Sequence, residues 1–119
     1  MDYEIANSRT GQVVAARAKM ASAPLTRMKG LLGRRSMTPG EAIILRPAGS
    51  IHTLFMLFAL DVVYLDSDDR VVKVVPDLVP WRFSAARKAH TTVEMAAGAT
   101  AGMDLAPGDQ LSFKPLGDA

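Results

Sequence analysis

The chain has 119 residues, of which 49% are hydrophobic and 22% charged, a composition typical of one globular domain. Its net charge of +2 is too small to predict a nucleic-acid partner, which requires a concentrated basic surface. The absence of cysteine excludes disulfides, thiolate metal ligands and cysteine nucleophiles. The longest apolar run, Leu54 to Leu60, is far shorter than the roughly 20 residues of a membrane helix, and MDYEIANSRTGQ does not resemble a secretory signal. We therefore expect a cytoplasmic protein without a membrane partner.

The first part of the chain predicts a hairpin, a helix and a further strand. Tyr3 to Ala6 and Val13 to Met20 are strand-like and are joined by the turn residues NSRTG. From Pro24 to Leu32, apolar residues recur near helical spacing, which predicts a short helix. Gly33 is expected to end this helix by adopting positive φ. Ala42 to Leu45 begins another strand.

The second part predicts more strands with loops between them. SIHTLFMLFALDVVYLD, from Ser50 to Asp66, predicts one long strand or two strands joined by a kink. The turn DSDDR leads into the strand VVKVV, and PDLVPWRFSAARKAH has no period and predicts a long surface loop. HTTVEM and QLSF predict the last strands, and AGATAGMDL between them predicts one or two helical turns.

These elements predict a mainly β fold. We expect a small, largely antiparallel barrel or sandwich with one or two short helices, in a single domain that spans residues 1–119. A sandwich of βαβ units is the alternative. It is less favoured because helices and strands do not alternate regularly along the chain.

Four sequence blocks occur in order along the chain. The first two are RMKGLLGR and the stretch that ends in ALDVVYLD, which is preceded by IHT; the others are Arg70 to Val72 and the residues Glu94, Gly98, Pro107, Gly108 and Asp109. Together they resemble the domain of unknown function 192 family of small bacterial and archaeal proteins, and the IHT is typical of one subgroup. The resemblance implies a compact β-rich domain and no particular activity. The family usually has glycine where this chain has Asp104, so we expect Asp104 to adopt the left-handed conformation.

His52 and Asp61 are polar residues within an apolar stretch. A histidine on the apolar face of a strand is most often a hydrogen-bonded structural residue. The functional alternative is an imidazole at the wall of a pocket, beside Thr53. For Asp61 we favour an ionised, structural carboxylate that accepts backbone N–H groups where the long strand bends after Ala59.

Metal binding is not expected. The two histidines, His52 and His90, lie far apart in the sequence. DSDD, from Asp66 to Asp69, resembles the start of a calcium loop but lacks the glycine and the distal glutamate of that motif. We expect no metal and no cofactor.

The loop around Trp81 is the best candidate for contact with a ligand. Arg82, Arg87 and Lys88 follow the tryptophan, and a basic and aromatic segment is compatible with stacking on a nucleotide base. We favour the simpler interpretation, in which the loop is solvated and Trp81 covers the mouth of the barrel.

Two hypotheses for the function remain. The favoured one is a small binding or accessory module with an apolar pocket that holds a small molecule or a peptide. The alternative is a hydrolase-like enzyme with His52 as the general base and Asp61 as its orienting group, which requires the two side chains to share one site. The candidate binding residues are His52, Thr53, Met56, Asp61, Trp81 and Arg82.

Overall fold

The structure is a computed structural model that describes residues 1–21, 31 and 33–117. These residues contain nine strands. The helix predicted from Pro24 to Leu32 lies outside the described residues, except for Leu31, which is buried. Gly33 has the predicted positive φ, at 86°. The strands are β1 (Asp2–Asn7), β2 (Val13–Ala21), β3 (Glu41–Leu45), β4 (Ser50–His52), β5 (Leu60–Leu65), β6 (Val71–Leu78), β7 (Phe83–Ala85), β8 (Thr91–Ala96) and β9 (Leu111–Pro115).

Seven strands form one curled sheet in the order β6-β5-β8-β3-β2-β1-β9. Its neighbouring strands are antiparallel except for β2 and β3, which are parallel. The first and last strands of the sheet meet at one end, where Arg70 and Gln110 form a bridge and Val71 N–H donates to Asp109 O at 2.8 Å. The sheet is therefore a half-barrel, and the prediction of a mainly β, largely antiparallel barrel is confirmed.

The central strands of this sheet are buried on both faces. In β3, Ala42 and Ile44 belong to one hydrophobic cluster, whereas Ile43 and Leu45 belong to a second cluster on the opposite face. All six residues of β5 are buried, including Asp61. A strand that is covered on both sides has no solvated face, so its sequence is a continuous apolar run rather than an alternating one.

The stretch from Ser50 to Asp66 is neither one long strand nor two strands joined by a kink. A loop of residues 53–59 separates β4 from β5, and the two strands belong to different sheets. Phe55 lies in this loop with a φ of 64°, which is incompatible with an extended strand through residues 53–59. β4 pairs instead with β7, a strand within the segment that we predicted to be a loop.

Side-chain hydrogen bonds hold the two-stranded β4–β7 sheet over one face of the half-barrel. The hydroxyl of Tyr64, in β5, donates to Ser84 Oγ in β7 at 2.8 Å, and Lys73 Nζ donates to Ala85 O at 3.0 Å. Tyr64 is fully buried, and its burial raises the pKa of its phenol, which therefore stays protonated as a donor. The small sheet thus forms part of the layer that covers the outer face of β5.

The segment after β8 forms turns instead of the predicted helical turns. Successive hydrogen bonds join residues three apart, from Ala99 N–H to Ala96 O, Ala101 N–H to Gly98 O and Met103 N–H to Thr100 O. Positive φ values at two glycines prevent these turns from continuing as a helix.

The expectation for Asp104 is wrong, because the residue in the left-handed conformation is Gly102, with a φ of 80°. Asp104 itself does not have positive φ. Its side chain accepts a hydrogen bond from Arg9 Nη1 at 3.1 Å, at the surface. An aspartate at this position is therefore explained by an ion pair rather than by backbone conformation.

Replacement of Tyr64 with phenylalanine tests the anchor of the small sheet. We expect Tyr64→Phe to lower the free energy of unfolding by about 1 kcal/mol, because one buried hydrogen bond is lost while the ring is kept. Urea titrations of Tyr64→Phe, Ser84→Ala and the double variant measure the coupling between the two side chains. Additive effects in the double variant would show that this contact does not hold the sheet.

Candidate functional site

Thr53 is the centre of the candidate site and is fully buried. Its hydroxyl donates to Val79 O at 2.7 Å and accepts from Arg82 N–H at 2.9 Å. Its main-chain N–H donates to Arg82 O at 2.8 Å, and its carbonyl accepts from Trp81 N–H at 3.0 Å. One threonine thus joins the loop of residues 53–59 to the segment of residues 79–82.

Phe55 and Trp81 are exposed at the surface, and both have an unfavourable backbone conformation. Their φ values are 64° and 67°, a region that bulky side chains rarely adopt. Their ring centroids lie 4.7 Å apart with planes inclined by 60°, a favourable geometry for an aromatic pair. The two residues remain 65% and 55% exposed, so the pair does not serve to fill the core.

Exposed apolar side chains are concentrated around this pair. Among the described residues, seven large hydrophobic side chains are exposed, and five of them lie in the two segments that meet at Thr53 or directly after them. The other two are Met1 and Val13. We call these five residues the apolar patch. They are Phe55, Leu57, Val79, Trp81 and Phe83.

The patch differs in two ways from the expected pocket. Met56 is buried in the hydrophobic cluster beneath it and supports the patch without lining it. Trp81 packs its indole against Phe55 and is more than half exposed, so it does not line an enclosed pocket. The site is therefore an open surface rather than an enclosed cavity.

His52 lies beside the patch, in β4. It is paired across the small sheet with Phe83, and the two ring centroids are 6.2 Å apart. His52 Nδ1 accepts the N–H of Leu54 at 3.3 Å, so the neutral imidazole carries its proton on Nε2. A shallow groove of about 500 Å³ follows the small sheet here, lined by Ser50, Ile51, His52, Phe83, Ser84 and Ala85.

Positive charge flanks the patch. Arg82, Arg87 and Lys88 are exposed, and the sequence has no acidic residue from Val79 to His90. Arg82 Nη1 donates to the carbonyl of Trp81 at 3.2 Å, which holds the guanidinium next to the aromatic pair. The surface around Trp81 is therefore both apolar and basic.

Asp61 lies in a different cleft. Its carboxylate accepts hydrogen bonds from the N–H groups of Asp77, Gly98 and Thr100 at 2.8, 3.1 and 2.8 Å, and from the Thr100 hydroxyl at 2.6 Å. These donors come from the end of β6 and from the turns after β8, not from a bend after Ala59.

The environment of Asp61 favours its ionised form. Burial raises the pKa of the carboxyl group, but the hydrogen bonds from Thr100, Asp77 and Gly98 outweigh it and lower the pKa overall. The cleft that Asp61 lines also contains Pro76 and is separate from the groove beside His52. His52 and Asp61 each bond to other groups, so the structure does not assemble the pair that the enzyme hypothesis requires.

Asp109, just before β9, carries another buried carboxylate, which joins the turn after β1 to the segment before β9. Asp109 accepts from Arg9 Nε at 2.7 Å, from Ala106 N–H at 2.9 Å and from Asn7 Nδ2 at 2.9 Å. The bond from Arg9, together with those from Ala106 and Asn7, lowers the pKa of Asp109. Within the described part of the chain, no three histidine, aspartate or glutamate side chains cluster as metal ligands do.

Sequence comparison places the chain in a family. The family model described as "Uncharacterized ACR, COG1430", DUF192, matches residues 5–113. The chain belongs to the DUF192 family. A UPF0127 protein of Thermococcus kodakarensis is 30% identical over 116 residues, which cover 93% of this chain and 73% of that protein. A UPF0127 protein of Thermococcus sibiricus is 30% identical over 113 residues, which cover 91% and 73%.

Two solved structures show the same fold. A putative transcription regulator from Sinorhizobium meliloti superposes with a TM-score of 0.79 at 20% identity, covering 94% of this chain and 92% of that one. A protein of unknown function from Novosphingobium aromaticivorans gives a TM-score of 0.78 at 20% identity, covering 94% and 84%. The DUF192 assignment thus agrees with the fold and names no activity. Within the described residues, no helix is long and apolar enough to cross a membrane.

Sequence reasoning did not find four members of the apolar patch of this DUF192 domain. Phe55 and Leu57 are part of an apolar run that we interpreted as a strand, and Val79 and Phe83 flank the tryptophan that we singled out. The run from Leu54 to Leu60 lacks the polar residues that a surface loop normally has. The absence of polar residues was the one indication in the sequence, and it does not distinguish an exposed apolar loop from a buried strand.

Replacement of Asp61 with alanine tests its structural role. We expect Asp61→Ala to lower the free energy of unfolding by about 1–3 kcal/mol at neutral pH, because it leaves buried donors unpaired. The lowered pKa means that the stabilisation is present above the unfolded value of about 3.9 and is lost as the pH falls through the lower folded value. Urea unfolding at neutral and acid pH should show the difference from wild type shrink in acid. Wild-type stability of the variant at neutral pH would refute the structural role.

Replacement of Thr53 with valine tests the junction beneath the patch. Valine keeps the shape but leaves Arg82 N–H and Val79 C=O without the hydroxyl, so we expect a loss of about 1–3 kcal/mol. Thr53→Ser keeps the hydroxyl and is the control. Trp81 is the only tryptophan, so its emission should shift in the valine variant and not in the serine variant. Equal stability and emission in all three proteins would show that the hydroxyl does not order the patch.

Proposed function

We propose that this chain is a binding module that holds an apolar group of a small molecule or a peptide on the apolar patch. The observation that carries the proposal is the backbone of Phe55 and Trp81. Two exposed aromatic residues adopt positive φ while their rings pack against each other. A bulky residue in that conformation costs on the order of 1–3 kcal/mol, and neither ring recovers this by burial in the core.

The patch has the properties of a preorganised binding surface. Thr53 ties both of its segments together through main-chain and hydroxyl hydrogen bonds, so the aromatic rings do not have to be ordered when a ligand arrives. Fixing side chains in advance lowers the entropy that binding costs. Large aromatic side chains on a rigid support are also the residues that contribute most to the affinity of binding surfaces.

The surroundings of His52 favour binding over catalysis. The sequence has no acidic residue from Ser50 to Leu60 or from Val79 to His90, so no carboxylate from these segments can orient the imidazole as a general base. Nδ1 accepts the N–H of Leu54, which leaves Nε2–H as the donor of a side chain that lines the groove. Donation of one hydrogen bond to a bound ligand is the role that this geometry supports.

Asparagine substitutions test whether the patch binds ligands. Asparagine tolerates positive φ, so Phe55→Asn and the double variant with Trp81→Asn should be at least as stable as wild type. Anilinonaphthalene sulfonate, an aromatic anion, is a suitable probe for an apolar and basic surface. We expect the fluorescence of the probe to increase when it binds the wild-type chain. The double variant should bind the probe at least about tenfold more weakly.

Val13→Asn is the matched control, since Val13 is exposed and lies on β2, outside the patch. This variant should bind the probe as the wild type does. Two results would contradict the proposal: equal binding of the probe to wild type and double variant, or a large loss of stability in Phe55→Asn. The second would mean that the ring is held for folding and not for a ligand.

A further inference from the structure

We infer that the partner is an extended, acidic peptide segment that adds a strand to the free edge of β7 and places an apolar side chain on the patch. This inference rests on the proposed function and specifies its ligand. It follows from three properties of the small sheet: its open edge, the side chains on its outer face and the charge around it.

β7 has one edge available for a further strand. β4 and β7 pair only with each other among the described strands. Thr53 N–H donates to Arg82 O and Ala86 N–H donates to Gly49 O, so the main-chain groups of the even-numbered residues 82–86 face β4. Because donors and acceptors alternate along an antiparallel strand, those of Phe83 and Ala85 face away from β4. They form the edge to which a peptide can bond.

The edge is marked by an existing contact. Lys73 Nζ donates to Ala85 O at 3.0 Å, which shows that this carbonyl points away from β4 and accepts a hydrogen bond from outside the small sheet. Lys73 is exposed, so its ammonium group can move aside for a peptide N–H. No described strand bonds to the main chain of Phe83 on this side.

The outer face of the small sheet provides the contacts for side chains. Ser84 points inward to Tyr64, so Phe83 and Ala85 point outward by strand alternation. Phe83 is 75% exposed, and its ring lies beside that of His52, at the groove of about 500 Å³. A strand added next to β7 would set every second side chain on this face. An apolar side chain there would contact Phe83.

Charge complementarity favours an acidic peptide. Arg82, Arg87 and Lys88 surround the ends of β7, Lys73 reaches its edge, and the segment from Val79 to His90 has no acidic residue. Opposite charges on a partner are attracted to such a surface and orient it. Like charges would be repelled.

Two other kinds of partner fit less of the site. An anionic membrane would use the aromatic and basic side chains but not the main-chain edge of β7 or the polar serines of the groove. A single-stranded nucleic acid would also use stacking and charge, but it does not form a β-ladder. A peptide uses the side chains and the main chain together, which is the mode of recognition by strand addition.

The test uses short peptides without tryptophan, titrated while the emission of Trp81 is recorded. The probe peptide alternates glutamate and phenylalanine. One control alternates lysine and phenylalanine, and another carries N-methyl groups on alternate amides of the acidic peptide. We expect the acidic peptide to bind at least about tenfold more tightly than either control. Its affinity should also fall as salt is raised.

Protein variants locate the interaction. The double substitution Arg82→Gln and Arg87→Gln should weaken binding of the acidic peptide several-fold. Lys114 is an exposed cation on β9, and Lys114→Gln should leave this binding unchanged. Phe55→Asn should weaken binding of the acidic peptide. Equal binding of the N-methylated and unmodified peptides, with loss in Phe55→Asn, would overturn strand addition and leave the proposed function intact. If instead the patch variants bind both the peptide and the sulfonate probe as the wild type does, the strand-addition inference and the proposed function are both wrong. Binding of anionic phospholipid vesicles or oligothymidylate in place of the acidic peptide would also overturn the inference.

Discussion

Burial of the central strands on both faces is the constraint on which the rest of the structure depends. β5 has no solvated side chain, so its outer face needs a second layer of protein. The loops and the small β4–β7 sheet provide part of that layer, and the hydroxyl of Tyr64 reaches through it to Ser84. The site that we propose is thus built on the cover of the core rather than inside the half-barrel.

The buried carboxylates Asp61 and Asp109 are stabilised under the same constraint. A charge that leaves water is tolerated in a protein interior when donors surround it. Asp61 receives three main-chain N–H groups and one hydroxyl, and Asp109 receives a guanidinium, an amide and a main-chain N–H. These donors come from turns or strand ends, and all except the N–H of Ala106, three residues before Asp109, are distant in sequence. These carboxylates therefore fix the ends of the strands. This structural role explains why buried aspartates, which could be mistaken for catalytic groups, occur at these positions.

The fold was largely predictable from the sequence, and the site only in part. Strand-like segments and turn residues gave most strands and the hairpin turn at Asp66, because these signals are local. The separation of β4 from β5 was not predictable, because a buried strand and a loop that covers a core can have the same apolar sequence pattern. Thr53 and Trp81, which we placed in one candidate site, are joined by a main-chain hydrogen bond, but this contact depends on the pairing of β4 with β7, which is a tertiary interaction. His52 and Asp61 are close in sequence and were joined in one hypothesis, yet His52 lines the groove along the small sheet and Asp61 lines a separate cleft.

The patch and the free edge differ in how their main-chain groups are satisfied, and this difference determines what each can contribute. At Thr53, Val79, Trp81 and Arg82 the main chain forms hydrogen bonds within the protein, so these segments are rigid and offer only their side chains to a partner. Along the outer side of β7, no described strand bonds to the main chain, and the Ala85 carbonyl accepts a hydrogen bond from the exposed Lys73 side chain, which another chain can displace. Side chains on a rigid support select an apolar group, whereas a free strand edge selects an extended backbone. Because both occur within a few residues of Phe83, a ligand that satisfies the two together must carry apolar side chains on an extended chain, and a peptide has that chemistry.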